Sequence, residues 1–161
     1  MGAGFIELQN ANFCWTSVTN PWNNYRNSIN KISFTGPITA GRSLRGLFRN
    51  LANVTELEGL TYFDTSQVTT MMGMFSGASS LTSLDLSSWD TSRIINMEHM
   101  FTGVSSLESL DLSNFNTSRV TNMRWFFSGA SSLRVLTLGE NFEFIVLHQP
   151  SWGSIGAQLM S

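Results

Sequence analysis

The sequence contains little that cross-links a chain or carries charge. Its 161 residues include a single cysteine, Cys14, which has no cysteine or histidine partner at metal-ligand spacing. An internal disulfide is therefore excluded, and we expect Cys14 to be a small buried apolar residue. Only 12% of the residues are Asp, Glu, Lys or Arg, against roughly 25% in typical soluble proteins. Hydroxyl and amide groups must therefore cover much of the surface.

The charge balance and the hydropathy argue against two classes of partner. Nine Lys and Arg residues stand against 11 Asp and Glu residues, and this net charge of −2 predicts no binding to nucleic acid. No apolar run approaches the roughly 20 residues of a membrane span, so we predict no membrane insertion. Residues 1–5 lack the basic start and apolar core of a signal peptide. The chain is thus either cytoplasmic or a mature fragment expressed without its targeting and anchoring ends.

A period of 26 residues is the strongest pattern that the sequence does contain. A Leu-x-x-Leu-x-Leu block begins at Leu81, at Leu107 and at Leu133. An aromatic residue, a branched aliphatic residue, a methionine and a glycine recur with the same period. Periods of roughly 20–50 residues indicate stacked supersecondary units. We therefore expect neighbouring units to bury their apolar side chains against each other.

Each unit predicts a short strand followed by a short helix. Leucines alternate with polar residues at the end of Leu81–Leu86, as in a strand with one buried face. Thr91 or Ser92 can cap a helix. Apolar residues at helical spacing continue to Phe101, and Gly103 provides a stop. We predict an α/β solenoid: a leucine-rich repeat with one short parallel strand and one short helix per turn, capped at both ends.

The chain divides into three predicted parts. Residues 1–43 are predicted to form an N-terminal cap, and residues 44–138 about three to four repeat turns. Residues 139–161 are predicted to form a C-terminal cap or a truncated turn. The N-terminal cap contains a predicted strand, Ile29–Phe34.

Two segments, 81–97 and 107–123, resemble a known family. The first reads Leu-Thr-Ser-Leu-Asp-Leu-Ser-Ser-Trp-Asp-Thr-Ser-Arg-Ile-Ile-Asn-Met, and the second keeps its leucines, Thr-Ser pair and final methionine. This combination at fixed offsets is similar to the BspA-like bacterial surface leucine-rich repeat, over roughly residues 44–138. The resemblance implies a secreted or cell-surface protein that adheres to a host or cell-surface protein or glycan. It therefore favours the mature fragment over the cytoplasmic protein.

Few residues have the character of a catalytic or metal site. His99 and His148 are the only histidines, and we expect both to be solvent-facing or half-buried. The sequence has no Gly-x-Ser-x-Gly elbow and no G-x-G-x-x-G loop, so we predict no enzyme, no cofactor and no metal site. Six of the eight methionines lie between Met71 and Met123. Their helical spacing predicts that they fill the core.

An acidic row is the predicted partner-binding surface. Residues of equal phase on neighbouring parallel strands lie about 4.8 Å apart, so Glu58, Asp85 and Asp111 should form an outward row with Glu56 beside it. Three interpretations stay open: a solvated row usual for the family, a face that contacts a partner, or a site for calcium or another hard cation.

Two further sets of residues with the same period are expected to be structural. Arg93 and Arg119 occupy one column with Gln67, and we expect Arg93 to form an exposed pair with Asp90. The other set consists of Thr-Ser pairs at 65–66, 91–92 and 117–118. We expect their hydroxyl groups to accept hydrogen bonds from backbone amides of turns and helix starts.

Three functions compete on this basis. The first is an adhesion or recognition module that binds through the strand face, with Trp15 or Trp22 of the N-terminal cap contributing. The second is a structural spacer or display scaffold in a larger surface protein. The third and least favoured is an enzyme whose site lies in the non-repeat ends.

Overall fold

Short parallel strands are the regular secondary structure of this chain. The computed structural model describes residues 4–8 and 21–145, the first range by its backbone alone. Within these ranges the elements are β1 (Gly4–Leu8), β2 (Ile29–Phe34), β3 (Ile38–Thr39), β4 (Glu56–Glu58), a 3₁₀ turn (Leu60–Tyr62), β5 (Phe63–Asp64), β6 (Ser109–Leu112) and β7 (Val135–Leu138).

The strands pair in three small sheets, and every pairing is parallel. β2 lies between β1 and β4, β3 pairs with β5, and β6 pairs with β7. The prediction of a strand at Ile29–Phe34 is confirmed by β2, whose Ile29, Ile32 and Phe34 are buried.

The prediction of an α/β solenoid of leucine-rich repeats is wrong. Residues 4–8 and 21–145 contain no α-helix, and their strands are confined to three small sheets. The predicted strand Leu81–Leu86 has no regular secondary structure, although the equivalent segments around β4, β6 and β7 are paired. β4 is only three residues long and is followed by Gly59, with φ 71°.

Left-handed residues explain the absence of helices. In the segment predicted to be helical, His99 has φ 57° and Gly103 has φ 72°. A residue in this conformation cannot continue a right-handed helix. The backbone instead makes successive turns, in which Met100 N donates to Met97 O and Thr102 N donates to His99 O, each at 3.2 Å. The residues with the same conformation at positions equivalent to His99 are Gly46, Gly73 and Trp125 (φ 63°, 60° and 60°).

Amides that a helix would use internally bond to the neighbouring repeat instead. Phe75 N donates to Met100 O and Phe101 N donates to Phe126 O, both at 3.0 Å. Because one backbone N–H makes one strong hydrogen bond, the bond to the next repeat replaces the helical one. Parallel bridges continue this pattern at Ser43–Thr70, Thr70–Asn96 and Asn96–Asn122.

A column of stacked aromatic rings runs through the core. The centroids of Phe48, Phe75, Phe101 and Phe127 are separated by 5.5, 5.6 and 5.7 Å. Trp22 stacks on Phe48 at 6.4 Å and is only 4% exposed. It is therefore a core residue, and the expectation that Trp22 contacts a partner is wrong. The methionines at the repeat position are buried as predicted, namely Met71, Met97 and Met123.

Buried threonines form hydrogen bonds that connect each repeat to the next. The Thr91 hydroxyl donates to Asn116 O at 3.1 Å and accepts from Asn116 N at 2.8 Å. Thr65 makes the same two bonds to Asp90, and Thr117 makes them to Glu143. These hydroxyl groups are structural, as predicted, but their partners lie in the following repeat rather than in their own turn.

The repeat contacts continue beyond the last leucine block. Thr117 N donates to Asn141 O at 3.0 Å, and Phe142 is buried against Phe126 at 6.3 Å. The sequence pattern stops at Leu138, yet the backbone extends the stack to Glu143. Of the two predicted caps, residues 1–3, 9–20 and 146–161 lie outside the described residues, and with them Cys14, Trp15 and His148.

Candidate functional site

The acidic row begins on β4, where a lysine from β2 meets it. Lys31 is paired in register with Glu56, and Ser33 is paired with Glu58. Lys31 Nζ lies 2.9 Å from Glu56 Oε2 and 2.6 Å from Glu58 Oε1. The Ser33 hydroxyl donates to Glu58 Oε2 at 3.1 Å. Glu56 and Glu58, two of the four predicted site residues, thus share the charge of Lys31. The sequence did not predict this lysine beside them.

The bonds around Lys31 shift both partners toward their charged forms. The Lys31 hydrogen bond is the main cause that lowers the pKa of Glu58, and the Ser33 bond adds to it. The hydrogen bond to Glu58 likewise raises the pKa of Lys31. All three groups are exposed or half-exposed, so solvent weakens the interaction.

Asp85 and Asp111 bond to their own backbone instead of to a cation. Asp85 Oδ1 accepts from Ser87 N at 3.0 Å and from the Ser87 hydroxyl at 2.7 Å. Asp111 Oδ1 accepts from Ser113 N at 2.8 Å. Hydrogen bonding to these serines lowers the pKa of both carboxyl groups. Each aspartate therefore closes a local turn through its Oδ1 and stays ionised at neutral pH.

Three of the four predicted residues line a single open groove. The groove has a volume of about 450 Å³, and its lining includes Glu58, Asp85 and Asp111 together with Ser83 and Ser109. It crosses the unpaired segment 83–86, between β4 on one side and β6 on the other. Glu56 lies outside the lining, beside Lys31. The structure thus brings Glu58, Asp85 and Asp111 together where strand pairing is interrupted. We call this the strand-face groove.

The strand-face groove does not have the ligand set of a metal centre. Across residues 21–145, no three His, Cys, Asp or Glu side chains converge on one point. Hard cations such as calcium need six to eight oxygen ligands, whereas the aspartate oxygens here accept bonds from Ser87 and Ser113. The geometry instead suits a partner that extends along the row.

Comparison with known proteins identifies a family for most of the chain. The family described as "Mycoplasma protein of unknown function, DUF285" matches residues 42–141. The chain belongs to the DUF285 family. This membership establishes a bacterial repeat family without confirming the narrower BspA-like relationship. No curated protein and no solved structure matches the chain. In the described part of this DUF285 chain, no helix is long and apolar enough to span a bilayer.

His99 lies on the DUF285 repeats but outside the strand-face groove. Its half-buried ring stacks on Trp125 at 6.2 Å, and its Nδ1 lies 3.1 Å from the Thr102 hydroxyl. Glu98, its neighbour in sequence, accepts from Asn122 Nδ2 at 3.1 Å. The Thr102 hydroxyl donates to Trp125 O at 2.6 Å, and among residues 21–145 no carboxylate bonds to the His99 ring.

A second groove, which the sequence reasoning did not predict, lies within the same DUF285 match. It has a volume of about 220 Å³ and is lined by Arg42, Gln67, Thr69, Arg93, Ile95 and Arg119. The prediction that Arg93 pairs with Asp90 is wrong. Arg93 Nη1 donates to Gln67 Oε1 at 2.7 Å, while Asp90 Oδ1 accepts from Ser92 N at 2.9 Å. The 26-residue spacing of Arg93 and Arg119 was the available signal. We call this the arginine groove.

Proposed function

We propose that this chain is a recognition module of a bacterial surface protein and that it binds its partner through the strand-face groove. The observation that carries this proposal is the open groove of about 450 Å³, in which Glu58, Asp85 and Asp111 stand side by side. Its wide opening and its mixed lining of leucines, hydroxyl groups and carboxylates suit an extended polar ligand.

The charge of the groove favours a protein partner with basic side chains. Glu56, Glu58, Asp85 and Asp111 carry four negative charges when ionised, and Lys31 balances one of them, so three remain. The hydrogen bonds that lower the pKa of Glu58, Asp85 and Asp111 keep these groups ionised at neutral pH. Complementary charge guides encounter and register more than it adds affinity. The long, flexible side chains of Lys or Arg in a segment that lies along the row could reach these carboxylates.

Two further points support recognition over catalysis and over display alone. Because the pKa values of Glu58, Asp85 and Asp111 are lowered, none of these carboxyl groups stays protonated at neutral pH to act as a general acid, and no histidine, cysteine or lysine lines the strand-face groove. A spacer needs no interruption in its strand pairing, yet segment 83–86 interrupts it and opens the groove. The cell-surface or secreted location is part of this proposal, supported by the DUF285 match and by the BspA-like resemblance of residues 81–97.

The test removes the charge of the groove without disturbing its turns. In an Asp85→Asn/Asp111→Asn variant, the amide oxygen can still accept from Ser87 N and Ser113 N, because Asn closes the same turn. We expect the wild-type chain to bind an immobilised polylysine peptide at low ionic strength and the variant to lose this binding. A matched Glu140→Gln/Glu143→Gln variant removes two exposed carboxylates outside the groove and should bind as the wild type does.

The same variants distinguish the alternatives. If the wild-type chain binds a glycan array and ignores polylysine, the partner is a glycan and the basic-segment proposal fails. If neither probe binds, the spacer function replaces recognition.

A further inference from the structure

We propose that the arginine groove is a second binding site, and that it takes the sulfate groups of an extended sulfated polysaccharide. Its three guanidinium groups belong to Arg42, Arg93 and Arg119, and no carboxylate lines the groove with them. The site is separate from the strand-face groove and does not depend on the function proposed for it.

Hydrogen-bonded turns fix the backbone positions of two of these arginines, Arg93 and Arg119. Arg93 and Arg119 each occupy the third position of a turn, closed where Ile94 N donates to Thr91 O at 3.0 Å and Val120 N donates to Thr117 O at 2.9 Å. The first residues of these turns are the buried threonines that bond to the next repeat. The guanidinium groups therefore project from rigid corners of consecutive repeats.

A hydrogen-bond ladder beside the turns sets the spacing along the groove. Thr69 N donates to Arg42 O, Ile95 N donates to Thr69 O, and Thr121 N donates to Ile95 O, all at 2.8 Å. Parallel backbones bonded in this way lie about 4.8 Å apart. Arg42 thus stands in the first layer of the ladder, Gln67 in the second, Arg93 in the third and Arg119 in the fourth. Charges arranged in a row suit a ligand whose own charges repeat along a chain.

The arginines keep their charge available for a ligand. Among residues 21–145, none of these three arginines forms an ion pair, and Lys31 forms its ion pairs with Glu56 and Glu58 in the sheet of β2 and β4. The guanidinium of Arg93 bonds to a neutral amide, that of Gln67. Asp90, the acidic residue nearest to Arg93 in the sequence, accepts a hydrogen bond from Ser92 N through its Oδ1. A planar guanidinium with five donors binds sulfate or phosphate oxygens in pairs.

The rest of the lining favours a sulfated sugar over a nucleic acid. The groove contains no aromatic side chain, and single-stranded nucleic acids are usually bound by stacking bases on such rings. It does contain an amide, a hydroxyl group and the side chain of Ile95, which is 42% exposed. Sugar hydroxyl groups can bond to Gln67 and Thr69, and the apolar face of a sugar ring can lie on Ile95. The net charge of −2 gives no general attraction for polyanions, so binding must come from this local cluster.

The experiment compares heparin, as a sulfated polysaccharide, with chemically desulfated heparin in calorimetric titrations of the full chain. We expect heparin to bind and desulfated heparin not to bind. An Arg93→Gln/Arg119→Gln variant should weaken heparin binding about tenfold, since two exposed charge pairs are lost. Gln is a conservative choice because Gln67 already occupies the same column. Binding should also weaken at high salt, where charges are screened within about 3 Å.

Two controls make the result decisive. An Arg124→Gln/Arg134→Gln variant loses the same charge from arginines outside the groove and should bind heparin normally. The Asp85→Asn/Asp111→Asn variant should also bind heparin normally, which separates this site from the strand-face groove. The proposal is overturned if heparin does not bind at low salt, if desulfated heparin binds equally, or if the control arginines matter as much. It is also overturned if single-stranded DNA binds more tightly through Arg93 and Arg119.

Discussion

Removing the hydroxyl group of Thr91 tests how the repeats are held together. Thr91 is 1% exposed, and its hydroxyl both donates to and accepts from the backbone of Asn116. A Thr91→Val substitution keeps the shape of the side chain but can make neither bond. The N–H and the C=O of Asn116 then lose these partners at a position where water has little access.

The expected cost follows from those two groups. A backbone group left without a partner inside a protein costs about 1–3 kcal/mol. Because Asn116 is only half-buried, we take the lower half of that range for each group and expect a loss of about 2–4 kcal/mol. For a chain of this size, 1 kcal/mol shifts the melting temperature by about 2–4 °C. Thr91→Val should therefore lower it by about 5–15 °C.

Thermal melts followed by circular dichroism would measure this shift, with two matched variants. Thr91→Ser keeps the hydroxyl and loses one methyl group, so it should cost only about 1 kcal/mol. Thr82→Val removes an exposed hydroxyl that makes one long bond, 3.3 Å to Thr55 O, and should change stability by less than about 0.5 kcal/mol. A Thr91→Val melt within about 2 °C of the wild type would refute the role assigned to these threonines.

Two further predictions follow from the contacts described above. Lys31→Met should raise the pKa of Glu58 toward its ordinary value of 4.5, observable by NMR titration of the side-chain carboxyl group. Because the folded-state pKa of Glu58 is lowered, its stabilisation is present above that ordinary value and is lost as the pH falls below it. The variant should show less of this acid destabilisation, and an unchanged titration would contradict the pairing. Gly59→Ala should destabilise by more than about 2 kcal/mol in urea unfolding, since φ is 71° and the new methyl group would overlap the Phe34 carbonyl oxygen. Gly103→Ala, with φ 72° but only Gly77 atoms at 3.7 Å, should cost about 1 kcal/mol, and equal effects would reject the steric argument.

The 26-residue period predicted the core well and the local structure badly. Phase alone identifies which leucines, methionines and phenylalanines meet, because equivalent residues of successive repeats must face each other; Phe75 stacking on Phe101 is an example. Phase does not reveal the backbone conformation between these residues. Met97, Met100 and Phe101 have helical spacing, but two tight turns place side chains at the same intervals. The left-handed φ at His99 did have a signal in the sequence, because the equivalent positions of the two preceding repeats are Gly46 and Gly73, and glycine adopts this conformation most readily.

The sequence predicted that three acidic residues share one surface, but not what surrounds them, and partner binding by that surface stays a prediction. Glu58, Asp85 and Asp111 do line one groove, because they share a phase. Lys31 comes from outside the repeats, so the period could not place it between Glu56 and Glu58. Arg42 likewise has no arginine equivalent in the next repeat, and its place in the same groove as Arg93 depends on how the turns pack.

The left-handed column at Gly46, Gly73, His99 and Trp125 has a consequence for how such a chain can change. The backbone N–H at this position donates to the next repeat in the same way whichever side chain the residue carries. Gly73 N donates to Glu98 O, and His99 N donates to Arg124 O. A non-glycine residue costs about 1–2 kcal/mol in strain and leaves the core untouched. Substitution at this column can therefore vary the outer surface one repeat at a time, at a roughly constant penalty, and Trp125, 41% exposed, is one such variation.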